Sequence, residues 1–296
     1  MNKLIKLISL GFVAFSLVMT SCGDDNDEPN PNPNPNPGEE ATGAVNPSTV
    51  FANGVPAQVG DYVITKNSDG LVTRIVDGDE VTIFDYAPVK SKSRAATRPA
   101  DYDMTMNVDW GNDKDGVDFY IRLNAQGYIE YAFEEDEDEN DGITYNEWWF
   151  KYNADGQLIE MKRTEGDNEV TTINYNADGD ITGISLKDDV DIQKMTATVG
   201  YTDATHATPI LNKSGIMLYD DSFRIDMDEM APAYYAGLLG KGTKHLPLTN
   251  KEVSYGETCD YTFAWEFNSS DMPVKFTSTY TGQWGSHTEE PVALRW

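Results

Sequence analysis

Four stretches of this chain carry the same turn. Asn67-Ser68-Asp69-Gly70, Asn124-Ala125-Gln126-Gly127, Asn153-Ala154-Asp155-Gly156 and Asn176-Ala177-Asp178-Gly179 share an Asn-x-x-Gly core; an aromatic or apolar segment precedes the last three. Glycine in the fourth position supplies a positive φ that a Cβ would oppose, so each unit reads as a hairpin turn between two strands. A weaker fifth copy, Asn268-Ser269-Ser270-Asp271, lacks the glycine. The copies are unevenly spaced, which fits a loose meander and not a solenoid of fixed period.

Between the turns, hydrophobicity alternates with period two. Met104, Met106, Val108 and Trp110 alternate with Thr105, Asn107 and Asp109, and Val117, Phe119, Ile121 and Leu123 with Asp118, Tyr120 and Arg122. Such runs are strands with one buried face. From Phe51 to Trp296 roughly 13 to 15 strands of ordinary length fit, enough for one large β core. The expected fold is all-β, a single strongly curved antiparallel meander over residues 46–296, open or partly closed as a barrel. One segment departs from this pattern. Met227, Met230, Tyr234, Leu238 and Leu239 fall at helical spacing, with Asp226 placed to cap and Gly240 to terminate, so one short helix is expected near residues 228–240. In a β chain such a helix plugs an open end or covers one face.

The N-terminus has a different character. Met1 to Lys6 holds two lysines, Leu7 to Val18 is an apolar or small run, and Met19-Thr20-Ser21 leads into Cys22. The run is shorter than the roughly 20 residues a helix needs to cross a bilayer, and the layout is that of a cleavable targeting segment. It resembles the lipobox of bacterial lipoproteins, with Met19 where leucine is usual. The resemblance implies that residues 1–21 are a signal peptide, removed before Cys22, and that Cys22 is then acylated. Residues 22–45 form a tether, acidic from Asp24 to Glu28 and alternating Pro and Asn from Pro29 to Pro37, a composition that favours an extended, semi-rigid chain. The acidic cluster behind the cysteine resembles the export signal of Bacteroidota surface lipoproteins, which implies display on the outer face of the outer membrane. A plainer reading is that the acids keep the tether solvated.

A formal charge of −28 repels nucleic acid. Its one basic stretch, with Lys90, Lys92, Arg94 and Arg98, lies in Val89 to Ala100, read as an exposed loop. Lipidation of Cys22 would leave Cys259 without a disulfide partner, a thiol on the core face of a strand.

Several features together resemble a family of Bacteroidota lipoproteins known as a domain of unknown function with a porin-like fold. They are Cys22 and its lipobox, the Tyr-Asn-Ala-Asp-Gly turns at Tyr152 and Tyr175, the segment Asp69-Gly70-Leu71-Val72-Thr73-Arg74-Ile75, and the late helix with Gly237-Leu238-Leu239-Gly240. The resemblance implies a strongly curved antiparallel sheet outside the bilayer. It carries over no activity and no catalytic residue.

Chemistry is sparse. His206 and His287 sit beside Thr or Ser and His245 two residues from Thr243, all in expected loops, and no metalloprotease, zinc, serine-elbow or Walker motif is present. No cofactor is expected. Calcium has one weak candidate: Glu137, Glu139 and Asp141 align with the first ligand positions of an EF-hand loop, but the closing Glu147 falls one residue early, so the stretch reads as an acidic hairpin loop. Trp148 and Trp149 are adjacent on one strand, which puts one of them opposite the core unless both faces are covered, and an exposed ring there could stack on a sugar. Trp110, Trp265 and Trp284 are expected in the core.

These readings give a lipid-anchored, surface-exposed outer-membrane protein whose β domain binds a glycan or an envelope protein without catalysis. A carboxylate-dependent extracellular glycan hydrolase stands as the alternative, favoured by a cleft holding two acids of which one has a raised pKa. A purely structural envelope component is the third reading.

Overall fold

The computed structural model describes residues 43–90, 101–111, 116–138, 142–164, 168–188, 190 and 192–296. Cys22, its flanking tether, Lys92, Arg94, Arg98, Glu139 and Asp141 lie outside them. Among the described residues sixteen strands form one closed antiparallel ring. In chain order, each paired to the next, they are Gln58–Val59, Tyr62–Lys66, Val72–Asp77, Glu80–Asp85, Met104–Asp109, Val117–Leu123, Ile129–Asp138, Gly142–Tyr152, Leu158–Arg163, Val170–Tyr175, Ile181–Lys187, Gln193–Gly200, Thr249–Ser254, Glu257–Phe267, Pro273–Gly282 and Val292–Arg295. Closure comes from the last strand on the first, with Gln58 opposite Arg295 and Val59 opposite Leu294. The sheet left open in the sequence reading is therefore a barrel. Val89–Lys90, expected as loop, pairs instead with Asp101–Tyr102.

All five Asn-initiated turns form as one device. In each, the Asn side-chain oxygen accepts the N–H groups two and four residues on, for example Asp155 at 3.0 Å and Gln157 at 2.9 Å from Asn153. Gly70, Gly127, Gly156 and Gly179 take φ of 84°, 79°, 82° and 85°. Asp271 takes φ 57° in the fifth copy, so that turn keeps its geometry with a residue that tolerates the left-handed region. Each turn also shifts the register by one, as between Lys151 and Tyr152, the signature of a glycine bulge.

Successive hairpin connections of an antiparallel ring emerge at alternate ends. By that count the five Asn turns share one end, the turn end, and so does the long excursion of residues 201–248 between strands Gln193–Gly200 and Thr249–Ser254. That excursion fills the barrel. Ile216, Met217, Leu218, Phe223, Ile225, Met227, Met230, Tyr234, Leu238 and Leu239 are all buried within the same core as the inward residues of the wall. The expected helix is here, shorter than predicted: a 3-10 turn Asp228–Met230 continues as Ala231–Tyr235, and a second helical turn spans Tyr219–Phe223. Gly237, not Gly240, ends it. At φ 79° its N–H donates to the Tyr234 carbonyl while the Leu238 N–H reaches the Ala233 carbonyl, a Schellman closure.

Polarity runs inward to outward from apolar to polar. Met104, Met106 and Val108 are buried while Thr105, Asn107 and Asp109 face out, and Met195, Ala197 and Val199 alternate with exposed Thr196 and Thr198. A barrel that crosses a membrane needs an apolar outer band around a polar interior. The strands Met104–Asp109 and Gln193–Gly200 have the reverse. One outer band is aromatic. Tyr120, Tyr131, Phe133, Tyr145 and Trp149 lie on adjacent strands, with Tyr102 5.6 Å from Tyr120 and Tyr131 5.8 Å from Trp149.

Candidate functional site

Beside the packed interior a space stands open. A cavity of about 390 Å³ lies at the end of the barrel away from the Asn turns, between the wall and the internal plug. Its wall side comes from Tyr62, Asp77, Glu80 and Trp110, each at a strand end nearest that rim, and its plug side from residues including Tyr219, Asp220, Asp221, Asp226, Asp228 and Tyr235.

Strand parity explains the wall carboxylates. Ile75 is buried, so Asp77 two residues on also points inward; Thr82 and Phe84 are buried, so Glu80 does too. The tight turn at Gly78-Asp79 then sets Asp77 directly opposite Glu80. Like charges in such a pair destabilise a hairpin. Burial foremost, and then neighbouring carboxylates, push the pKa of both upward: Asp61 acts on Asp77, and Asp77 and Asp228 act on Glu80.

On the plug, Asp220 and Asp221 follow the buried run Ile216–Tyr219 in the first turn of Tyr219–Phe223. Arg224 sits 3.3 Å from Asp220 and donates to Glu252. Burial raises the pKa of Asp220, and it raises that of Asp221 further, to about 6, with Asp220 as the next cause. Asp226 and Asp228 turn away to Arg163. That guanidinium also donates twice to Glu169, at 3.1 and 2.8 Å, and Lys194 lies 3.1 Å from the other Glu169 oxygen. Arg163 stacks 5.4 Å above Trp148, so the plug is pinned to the wall by a knot of charges resting on an indole.

Asp77, Glu80 and Asp221 thus form no close ion pair among the described residues, and Arg224 acts on Asp221 only as the last of its causes, lowering its pKa. Among the described residues no lysine, arginine or histidine lines the cavity. Tyr235 is only 7% exposed, yet its hydroxyl finds no hydrogen-bond partner among the described residues while its ring packs against Tyr62 at 5.6 Å. Chemically the site offers uncompensated carboxylates, one of them able to hold a proton near pH 6, beside four aromatic rings. Among the described residues no three acids, cysteines or histidines converge as a metal-binding group would.

The tryptophan pair is split by the pleat. Trp148 is 0% exposed inside the barrel, stacked on Phe150 at 6.3 Å, and has no face to offer a ligand. Trp149 lies on the outer wall, half-buried, with Lys162 5.2 Å over its ring. Trp284, expected in the core, is 91% exposed at a hairpin tip at the rim away from the Asn turns. Trp265 packs 4.7 Å from Phe276, and its indole donates to the Pro247 carbonyl. Cys259 is half-buried on the inward face near the rim, and Glu137 lies on the strand Ile129–Asp138. Two histidines expected in loops are on strands: His287 on Gly285–Thr288, and His245 on His245–Leu246, where its ring nitrogen lies 2.7 Å from buried Asp180. His206 is exposed in a loop, as read from the sequence. The cavity residues themselves escaped sequence reading, although the inward parity of Asp77 and Glu80 was a usable signal.

Kinship is decided by the sequence over most of the chain. Residues 65–275 match the family described as a domain of unknown function (DUF4595) with porin-like fold. The chain belongs to this family. Among solved structures, the DUF4595 barrel is similar to a porin-like protein from Bacteroides uniformis, at 19% identity and a TM-score of 0.54, over 79% of this chain and 88% of that one. A porin-like protein from Bacteroides vulgatus aligns at 10% identity and a TM-score of 0.46, over 81% of this chain and 98% of that one. No curated protein matches. The first of these likenesses speaks to the fold of the DUF4595 barrel; its chemistry has to be read from its own residues.

Proposed function

We propose that this protein is a lipid-anchored outer-membrane protein, surface-exposed, whose barrel binds a ligand without catalysis in the cavity at the rim away from the Asn turns. Support for the binding site is the cavity itself, since carboxylates and aromatic rings are left facing an open space in a barrel otherwise filled to its axis. Such groups oppose stability where they stand, and functional sites are where that cost is retained. A thermal-shift screen of glycans and small molecules against wild type and Trp110→Ala tests it. Ligands that stabilise the first and not the second carry the reading; hits that act equally on both overturn it.

Support for the anchor is the segment ending at Cys22 and the tether behind it. Labelled fatty acid should enter the wild type and not Cys22→Ser, and protease added to intact cells should remove the barrel. Protection until the outer membrane is broken would return it to the periplasmic face.

A hydrolase has one observation in its favour, Asp221 held near pH 6 in a cleft with other acids. Asp220 and Asp221 are neighbours on one turn, and the acids that stand across the space from Asp221, as glycosidase carboxylates stand across the bond they cleave, are Asp77 and Glu80 on the wall. Turnover of a polysaccharide that Asp221→Asn abolishes would promote this reading above the first.

A further inference from the structure

The seven carboxylates of the cavity divide by what they touch. Asp226 and Asp228 are held by Arg163 and Asp220 by Arg224, Glu229 stands on the plug beside them, and Asp77, Glu80 and Asp221 form no close ion pair among the described residues, Arg224 acting on Asp221 only from longer range. Two of these three come from the wall hairpin and one from the plug, so the uncompensated charge spans the cavity. A single metal ion does not suit that layout. Calcium wants six to eight oxygens within about 2.6 Å, and a space of about 390 Å³ with no convergent triad among the described residues is far too open. An extended cation suits it better. Ammonium groups pair with separate carboxylates, methylenes between them lie along Leu218, Ile225 and Met227, and aromatic faces attract the charge. Tyr235, 7% exposed and packed on Tyr62, lines the same space, and its hydroxyl, which no described residue engages, supplies an oxygen acceptor there.

Building on the cavity reading above, we infer that its ligand is a linear organic polycation, of the di- or polyamine class, held between Asp77 and Glu80 on the wall and Asp221 on the plug, with Tyr62, Trp110 and Tyr235 around its chain.

Spermidine titrated into the purified full-length protein in detergent is the test, followed calorimetrically beside sorbitol and calcium. A chain this acidic attracts polycations everywhere, so the informative comparison is with Asp77→Asn/Glu80→Gln/Asp221→Asn, a variant that removes mutual repulsion and should fold at least as well. Wild type is expected to bind one spermidine at least ten-fold more tightly than this variant, Tyr235→Phe about three-fold more weakly than wild type, and calcium should not displace it. Equal affinity in wild type and the triple variant overturns the inference, because the binding is then diffuse surface attraction. So does displacement by stoichiometric calcium. If spermidine fails while a neutral glycan from the thermal screen binds and is lost in Trp110→Ala, the polycation inference falls and the cavity reading survives; a screen with no ligand sensitive to Trp110→Ala removes both.

Discussion

The Gly156 carbonyl accepts the backbone N–H of Lys241 at 2.8 Å, which makes a hairpin turn of the wall the seat of the internal plug. Other turns do the same. The Gly179 carbonyl accepts from Gln157 Nε2 and from the Lys244 N–H, Asp178 pairs with Lys244, and Asp271 with Lys213. The repeated turns therefore form a rim on which residues 201–248 are held.

Gly240 shows how tight that seat is. At φ 82°, a Cβ there would come 2.6 Å from the Gly156 carbonyl oxygen and 2.9 Å from the Tyr152 ring. Gly70 has nearly the same φ but nothing within 4 Å. Gly70→Ala should cost only backbone strain, about 1 kcal/mol, and Gly240→Ala about 2 to 4 kcal/mol, since it adds a clash that unseats the plug. Urea unfolding of the two variants checks this, and equal losses would mean the seat yields freely.

Arg163 joins the plug to the wall through Glu169, Asp226 and Asp228. Removing Arg163 leaves the mostly buried Glu169 with Lys194 alone, while Asp226, whose side chain is 65% exposed, keeps its water. Arg163→Met should lose about 1 to 3 kcal/mol by chemical denaturation, and no measurable loss would show that Lys194 and water already serve these carboxylates.

Asp221 sets a pH dependence of unusual sign. Its folded pKa of about 6 lies above its ordinary value of 3.8, so the folded state holds the proton more tightly. Stability is then greatest with the carboxyl protonated and falls as pH rises from about 4 through about 6, by at most about 3 kcal/mol. Asp77, Glu80 and Asp220 are shifted in the same direction. Asp221→Asn should melt higher than wild type at pH 7.5 and show a flatter profile between pH 4 and pH 7. Parallel profiles would place Asp221 in contact with bulk water.

Trp284 and Trp148 should behave as opposites. Trp284→Ser removes an indole exposed to 91% and should change stability by less than about 0.5 kcal/mol, whereas Trp148→Ala empties a fully buried site and should cost about 3 to 5 kcal/mol. Melting curves of the two proteins decide it.

Much of the barrel was legible residue by residue. Asn153 and Gly156 announce a turn because the φ of 82° is a local requirement, and Met104, Met106 and Val108 announce a strand because neighbours on a pleat face opposite ways. Trp284 was misread because its isolation among polar residues carries no direction: a hairpin tip and a core position differ only in what lies across the fold. The helix was placed correctly but drawn too long, since Leu238 and Leu239 are buried by the barrel wall and not by helical periodicity. Asp77 and Glu80 carry no local mark that separates them from the other acids of the chain, apart from their parity with Ile75 and Thr82.

The sequence by itself determined the strands, the five turns, the inward and outward faces and the departure from β structure after Asp226, because each is a matter of neighbouring residues and their sterics. Tertiary structure alone decided that Gln58–Val59 meets Val292–Arg295 to close the ring, that residues 201–248 run down its axis, and that Asp77, Glu80 and Asp221 meet around one open space. Those contacts join residues more than a hundred positions apart, and their energies come from water excluded and charge desolvated inside the closed barrel, which no local pattern encodes.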